Sequence, residues 1–321
     1  MPLDVGSLTT GRLENTLSVV RKEIGRQPSE LGAFLSSWKS ENARRGSIFV
    51  GAGDSFAAAL CASQLSHLGI RAMDPYALHE SPELARGNDV YFVSVSGRTR
   101  ANIATAKKIS RLCRRSLAIT ADERSPLASQ VDTVTRIPYS GAPKLPGTLS
   151  FSLSLLITLL LTLPTVRCDF KAVFNKSRKS SRKFSISDSR VTYILGNNAA
   201  YGVSLYAAAK LNEFLGGRSH TEFLEEFSHM ELFSLSRLDS VNVFPLFDPK
   251  RLGERLRDSL TPAGYSCVVL DSWGRNDVEQ IFHSVFLAQL AVLEEAVKRG
   301  LTRPYFHLER ELLRTSDRMI Y

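Results

Sequence analysis

The chain has few cysteines and no long hydrophobic run. Only four of its 321 residues are cysteine, and they stand far apart without a C-x-x-C pair. This spacing excludes a disulfide framework and a zinc site of that type, and it favours a reducing, cytoplasmic setting. The most apolar segment, residues 151–163, is short for a bilayer and contains serine and threonine. We therefore expect a core helix there and no membrane partner.

Neither a secretory leader nor a nucleic-acid patch is predicted. Residues 1–4 show no basic region followed by an apolar one, which argues against a signal peptide. The net charge is +9, but residues 167–183 alone contain seven basic residues and one acidic residue. Because the basic residues are not interleaved with aromatic residues in a pattern suited to base stacking, the segment predicts a solvated basic linker and no nucleic-acid partner.

What is present is an alternation of apolar strand-like runs and helical patterns. Such alternation predicts an α/β fold in which parallel sheets are covered on both faces. The second half repeats the plan of the first, which indicates two tandem doubly wound, flavodoxin-like domains. The predicted boundaries are an N-terminal helical arm at 1–45, a first domain at 46–166, a basic linker at 167–189, and a second domain with a C-terminal tail at 190–321.

One apolar strand ends in a cluster of hydroxyl groups around a glycine. The run Val90–Val93 is followed by Ser94, Ser96, Gly97, Arg98 and Thr99, and then by a helical pattern. A glycine permits a sharp turn, and the free N–H groups at a helix start attract anions. The pattern predicts a phosphate cradle, although the same residues are also common in ordinary turns and helix caps.

Several phrases together resemble the SIS (sugar isomerase) domain family, which binds phosphosugars. They are the cradle and four further phrases, which read GAGDS at 51–55, GNNAAYG at 196–202, AAKLNE at 208–213 and EFSHMEL at 226–232. The arrangement is similar to the isomerase half of glucosamine-6-phosphate synthase and to its stand-alone deaminase and isomerase relatives. The resemblance covers roughly residues 45–315.

The resemblance implies a role for each matching residue. Ser94, Ser96 and Thr99 would hold the sugar phosphate, with Arg98 as a further phosphate ligand, while Gly53 and Ser55 would face the sugar hydroxyls. Glu213 would be the base that moves a proton between C1 and C2, and His229 would help to open the sugar ring from a neighbouring subunit. A homodimer follows from this last role, and neither a cofactor nor a metal is expected.

Each of these residues also has a simpler interpretation. Glu213 lies in a helical pattern, where a solvated glutamate is common, and an isolated His229 is more often structural. Asp54 could simply cap the following helix. A Glu226/His229 pair could suggest a metal, but no further ligands stand in register with it.

The C-terminal segment departs from the family pattern. Relatives usually carry a lysine after a proline near the C-terminus, whereas here Pro304 is followed by His307 and Arg310 and no lysine. Arginine stays protonated and cannot form a Schiff base. The resemblance implies an isomerase or deaminase that acts on a hexose 6-phosphate of the glucosamine or fructose type. The alternatives are a phosphoglucose/phosphomannose isomerase and a non-catalytic phosphosugar sensor or regulatory protein.

Overall fold

The computed structural model describes residues 16–39, 41–141, 145–186 and 190–321. The first fifteen residues of the predicted arm and residues 187–189 of the predicted linker lie outside these ranges. The helices of the first half are α1 (Thr16–Ser37), α2 (Asp54–Leu65), α3 (Pro75–Glu80), α4 (Arg100–Ile109) and α5 (Leu149–Thr162). Those of the second half are α6 (Phe170–Ser180), α7 (Ala199–Leu215), α8 (Leu224–His229), α9 (Leu252–Leu260), α10 (Asp277–Lys298) and α11 (Arg310–Ile320).

Two parallel sheets organise the described chain. The strands of the first are β1 (Ile48–Val50), β2 (Arg71–Met73), β3 (Asp89–Val93), β4 (Arg115–Thr120) and β5 (Thr133–Arg136). Those of the second are β6 (Val191–Gly196), β7 (Arg218–Glu222), β8 (Ser240–Phe244) and β9 (Ser266–Val269). Their orders are β2-β1-β3-β4-β5 and β7-β6-β8-β9, so the second sheet repeats the first four positions of the first. The predicted α/β class with parallel sheets is confirmed.

Both faces of the first sheet are buried. Phe49, Tyr91 and Ile119 pack into the large core that α2, α5 and α10 share, whereas alternate strand residues such as Val90 and Phe92 pack into a smaller core beneath α3 and α4. Near-continuous apolar strands are the sequence signature of sheets covered on both sides. Burial on both faces is therefore the reason why these strands were readable from sequence.

The two halves meet along α2 and α7. Gly202 of α7 lies so close to α2 that an added Cβ would stand 2.5 Å from Cys61 Sγ and 2.9 Å from the carbonyl oxygen of Ala57. The Cys61 thiol in turn donates a hydrogen bond to the Ala199 carbonyl. This close crossing brings the starts of α2 and α7, and the loops before them, into one region.

The segment predicted to be a solvated linker is largely helical. Residues 170–180 form α6, which buries Phe170 and Val173 and packs along α10. The ring of Phe170 meets that of Phe282 edge to face at a centroid distance of 4.9 Å. Because the apolar residues recur at helical spacing among the lysines and arginines, α6 is amphipathic and docks through one face.

The N-terminal helix packs into the protein through polar contacts. Gln27 of α1 donates to Gln289 of α10 at 2.8 Å and accepts a hydrogen bond from Ser152 of α5 at 2.7 Å. Glu23 accepts hydrogen bonds from the Thr148 hydroxyl and the Leu149 amide. Buried polar groups need such partners, so α1 is fixed against α5 and α10. Among the described residues no helix is long and apolar enough to cross a membrane.

Candidate active site

The loops that follow the first strand of each half share one backbone conformation. Gly53 has φ 56° and ψ −126°, and Asn198 has φ 52° and ψ −132°. Two residues earlier, Gly51 and Gly196 each lie against the first turn of the next helix, where an added Cβ would come within 2.7 Å of backbone atoms. The same strained turn therefore occurs twice, once in each half.

The residue after this turn differs between the halves, and in the first half it is part of an ion cluster. Asp54 is the first residue of α2, and its Oδ2 lies 2.8 Å from Lys210 Nζ of α7. The same ammonium lies 2.5 Å from Glu213 Oε2, one turn further along α7. Lys210 is fully buried, whereas one third of the Glu213 side chain is exposed. A buried cation thus joins a carboxylate from each half.

Burial and the neighbouring charges change the proton affinity of these groups. Burial raises the pKa of Glu213 to about 7; the Lys210 charge opposes this shift and the Asp54 charge adds to it. Burial disfavours the charged form of Lys210, but the two carboxylates outweigh it and raise the pKa of that ammonium. A carboxyl group that titrates near neutral pH beside a fixed cation can accept and return a proton.

An aromatic ring packs against the ion cluster, and an amide group hydrogen-bonds to the hydroxyl of that ring. The Lys210 ammonium lies 5.2 Å from the centroid of the Tyr206 ring, which stacks on Phe151. The Tyr206 hydroxyl donates to the Gly147 carbonyl at 2.7 Å and accepts from Gln289 at 3.0 Å. An added Cβ at Gly147 would stand 2.2 Å from Asp54 Oδ2, so the chain passes directly beside the carboxylate.

The predicted phosphate cradle is a tight turn at the end of β3. Gly97 has φ 61°, and its N–H donates to the Ser94 carbonyl at 3.0 Å. An added Cβ there would lie 2.1 Å from Ser125 Oγ, so only glycine fits. The hydroxyls of Ser94 and Thr99 stand 3.4 Å apart, and Thr99 caps α4 without a side-chain hydrogen bond to that helix. The turn places hydroxyl groups beside the positive end of α4, whose first turn contains no acidic residue.

Two further residues of the cradle, and one residue in the first turn of α4, have distinct surroundings. Arg98 is exposed, and its guanidinium lies 3.5 Å from Asp122, so it would have to leave this surface pair to reach a ligand. The Ser96 hydroxyl accepts a hydrogen bond from the Arg98 amide at 3.3 Å. Asn102, in the first turn of α4, is buried, and neither polar atom of its side chain has a partner among the described residues.

The strand pairing brings the two loops of the first half to one edge of the sheet. β1 and β3 are parallel neighbours, with Val50 paired to Phe92. The Gly51–Ser55 loop and the Ser94–Thr99 turn therefore leave adjacent strands at the same end. Gly53 is exposed and Ser55 half-buried at the start of α2, next to Asp54. Ligands of parallel α/β sheets bind at this end of the strands.

His229 lies apart from the ion cluster. It is the last residue of α8, its side chain is 70% exposed, and its Nε2 stands 3.3 Å from Glu225 Oε1. The structure thus brings Glu213 together with Asp54 and Lys210 and leaves His229 on the surface. Glu226 is also exposed.

The C-terminal helix ends beside the start of α4. Arg100, the residue after Thr99, donates hydrogen bonds to the carbonyls of Arg318 and Tyr321 at the end of α11. Arg310 is the exposed first residue of that helix. The chain end is therefore held close to the residues that form the cradle.

Asp54 and Lys210 are the members of the ion cluster that sequence reasoning missed. Helix α2 is capped by Gly53, and the Asp54 carboxylate binds Lys210 instead. One signal was present in the sequence: Lys210 interrupts an otherwise apolar helical stretch, AAAKL. A lysine on a buried face requires carboxylate partners. Its partner Asp54 is 156 residues away and cannot be found from local spacing.

The folded chain is a two-sheet α/β protein with polar loops at the strand ends and a buried lysine that pairs with a carboxylate from each half. No protein-family model matches the chain, and no curated protein sequence does. Solved structures do share its fold. Glucosamine-6-phosphate deaminase from Thermotoga maritima is similar with a TM-score of 0.73 at 23% identity, over 88% of this chain and 95% of that one.

Two further solved structures share the fold. The C-terminal domain of glucosamine-fructose-6-phosphate aminotransferase from Francisella tularensis has a TM-score of 0.71 at 16% identity, over 89% of this chain and 97% of that one. Tagatose-6-phosphate ketose/aldose isomerase from Escherichia coli has a TM-score of 0.64 at 18% identity, over 88% and 93%. The fold expected from the resemblance is therefore confirmed. At identities this low the likeness shows a shared fold and nothing further.

Proposed function

We propose that the protein is a phosphosugar isomerase or amino-sugar phosphate deaminase that acts on a hexose 6-phosphate. The observation that carries the proposal is the Glu213 carboxyl, partly exposed, paired with the buried Lys210 and shifted in pKa to about 7. Moving a proton between C1 and C2 requires a base of this kind. The relatives in fold are named for phosphosugar reactions, which supports the choice of substrate class.

The cradle would hold the phosphate in this mechanism. Ser94, Ser96 and Thr99 would donate hydroxyl hydrogen bonds, and Arg98 would add charge after leaving Asp122. Gly53 and Ser55 would face the sugar hydroxyls, which directs C1 and C2 towards Glu213. Lys210 would hold the Glu213 carboxylate in place and stabilise the negative charge that develops on the sugar oxygen.

We propose that His229 acts in ring opening from the neighbouring subunit of a cytoplasmic homodimer. The exposure of His229 supports this role, because a side chain at a surface can complete a site on another copy.

The division into two domains around residues 167–189 stays a prediction. Helix α6, which lies in this segment, packs onto α10 of the second predicted domain.

The absence of a lysine after Pro304 favours one rival, a phosphosugar sensor without turnover. Incubation with glucose, fructose, mannose and glucosamine 6-phosphates, followed for isomers and for ammonia, separates the two. Turnover of one of these sugars supports the enzyme, whereas binding without turnover of all four supports the sensor.

The base is tested by Glu213→Gln, which should lower turnover on the order of 100-fold or more and leave sugar-phosphate binding nearly unchanged. Glu80→Gln, at an exposed site on α3, is the matched control and should retain full turnover. In the wild type turnover should fall as the pH drops below about 7, because protonated Glu213 cannot accept a proton. Retained turnover in Glu213→Gln would remove Glu213 from this role.

A further inference from the structure

Three side chains with metal-binding groups converge at the outer edge of the second sheet. His220 and Glu222 lie two residues apart on the edge strand β7, so they share one side of that strand. Glu231 follows α8 and opens a short 3₁₀ turn. One ligand atom from each residue lies within 4.8 Å of the other two. His220 Nε2 and Glu231 Oε1 stand 3.0 Å apart.

One carboxylate oxygen in this cluster has no hydrogen-bond partner. Glu231 Oε2 is buried from solvent, and none of the described residues donates to it. A buried carboxylate oxygen without a donor costs free energy, and a second carboxylate, that of Glu222, stands nearby. A bound cation would satisfy the orphaned oxygen and offset the repulsion between the two carboxylates.

We propose that His220, Glu222 and Glu231 bind a divalent transition-metal ion of the Zn²⁺ or Mn²⁺ class. An imidazole with two carboxylates suits these ions better than Ca²⁺ or Mg²⁺, which prefer oxygen ligands alone. Three protein ligands leave further positions for water.

Neighbouring groups orient two of the three ligands. The His220 ring meets the ring of Tyr193 edge to face at 6.0 Å. Glu222 Oε1 accepts a hydrogen bond from the Phe223 amide at 2.8 Å, which limits the rotation of that carboxylate. Contacts outside the ligand set that fix its orientation are typical of metal sites in proteins.

The site would join β7 to the residues that follow α8. His220 and Glu222 belong to β7, whereas Glu231 lies two residues after His229. A bound ion would fasten the end of α8 to the sheet edge and so restrain the segment that carries His229. The inference concerns metal binding and holds whether or not the protein turns over a sugar phosphate.

The test is titration of the tag-free full chain, stripped with a chelator, with Zn²⁺, Mn²⁺, Mg²⁺ and Ca²⁺ salts in separate calorimetric experiments. We expect one Zn²⁺ ion per chain, weaker binding of Mn²⁺, and little of Mg²⁺ or Ca²⁺. His220→Ala and Glu231→Gln should each weaken Zn²⁺ binding at least about tenfold. Zn²⁺ should raise the melting temperature of the wild type and of neither variant.

A matched control is available in a second His–Glu pair on the surface. His229 and Glu225 stand 3.3 Å apart on α8 and are not part of the three-residue set. His229→Ala should therefore leave Zn²⁺ binding unchanged. In chelator Glu231→Gln should be no less stable than the wild type, which shows that the variant folds. Absence of Zn²⁺ binding, or equal losses in His220→Ala and His229→Ala, would overturn the proposal.

Discussion

The two halves of the molecule share a plan but end their third strands differently. In the first half β3 leads through Ser94–Thr99 into α4, and hydroxyl groups surround the turn. In the second half β8 leads into α9, and the Asp248 carboxylate accepts hydrogen bonds from the amides of Leu252 at 2.9 Å and Gly253 at 2.7 Å. The start of α4 has no side-chain hydrogen bond from its capping residue, whereas the start of α9 is capped by the chain's own carboxylate.

The turns after the first strands of the two halves have nearly the same backbone conformation but are followed by different side chains. The turn at Gly53 is followed by Asp54, whereas the matching turn at Asn198 is followed by Ala199. Asp54 forms an ion pair with Lys210 of the other half, and Lys210 also pairs with Glu213 on its own helix. Two turns of one shape thus differ in side chains, and only the turn of the first half is followed by an acid that binds Lys210.

The largest expected effect comes from removing the cation that joins the halves. Lys210→Met leaves Asp54 and Glu213 close together without a counter-charge. Breaking a buried ion pair in this way typically costs about 3–5 kcal/mol of unfolding free energy. Urea unfolding at pH 8 measures the loss. The triple variant Lys210→Met, Asp54→Asn, Glu213→Gln should recover most of it, and a triple variant as unstable as the single one would contradict the ion-pair account.

The turn at Gly97 should be more sensitive to an added side chain than a glycine with open space around it. Gly97→Ala combines an unfavourable positive φ with a Cβ 2.1 Å from Ser125 Oγ, so we expect a loss of roughly 3 kcal/mol. Gly87→Ala is the matched control, since Gly87 has φ 71° and open space around its Cβ. It should cost only about 1 kcal/mol. Equal costs in the two variants would show that the crowding at Gly97 is relieved by movement.

Acid should act on the second half through a buried histidine. Burial lowers the pKa of His283 on α10 to about 4 from an ordinary 6.5. The unfolded chain therefore binds the proton first, and the stability present above pH 6.5 falls as the pH drops from 6.5 towards 4. The loss should reach about 2–3 kcal/mol.

His283→Leu should flatten this part of the stability profile. His67→Gln, which changes an exposed histidine of the first half, serves as the control. It should leave the slope between pH 6.5 and 4 unchanged. An unaltered slope in His283→Leu would assign the acid sensitivity to other groups.

The start of α9, which the Asp248 carboxylate caps, gives a prediction with a smaller expected effect. Asp248→Ala removes the acceptor for two helix amides and should cost about 1 kcal/mol. Added inorganic phosphate should then restore part of the melting temperature, since the exposed amides attract an anion. The comparison is made in a Ser96→Ala background, in which the first cradle is weakened. Equal phosphate effects with and without Asp248 would contradict the view that this carboxylate occupies an anion site.

Buried strands could be predicted from their apolar sequence pattern, whereas contacts between residues far apart in the chain could not. The apolar strands Val90–Val93 and Ile48–Val50 were visible, because sheets buried on both faces require such runs. The edge strand β7 reads RSHTE, which lacks apolar residues, and α6 was hidden by its basic charges. The cradle follows from one local phrase, whereas the contact between Asp54 and Lys210 depends on how α2 and α7 cross.

Phosphate binding by the cradle is tested most directly by calorimetric titration of the wild type and of Ser96→Ala with glucose 6-phosphate and with free glucose. We expect one glucose 6-phosphate site per chain and much weaker binding of glucose. Loss of a hydroxyl hydrogen bond to a charged phosphate should weaken the phosphorylated sugar about tenfold or more in Ser96→Ala and leave glucose unaffected. Equal binding of the two sugars, or undiminished glucose 6-phosphate binding in Ser96→Ala, would contradict phosphate binding by the cradle.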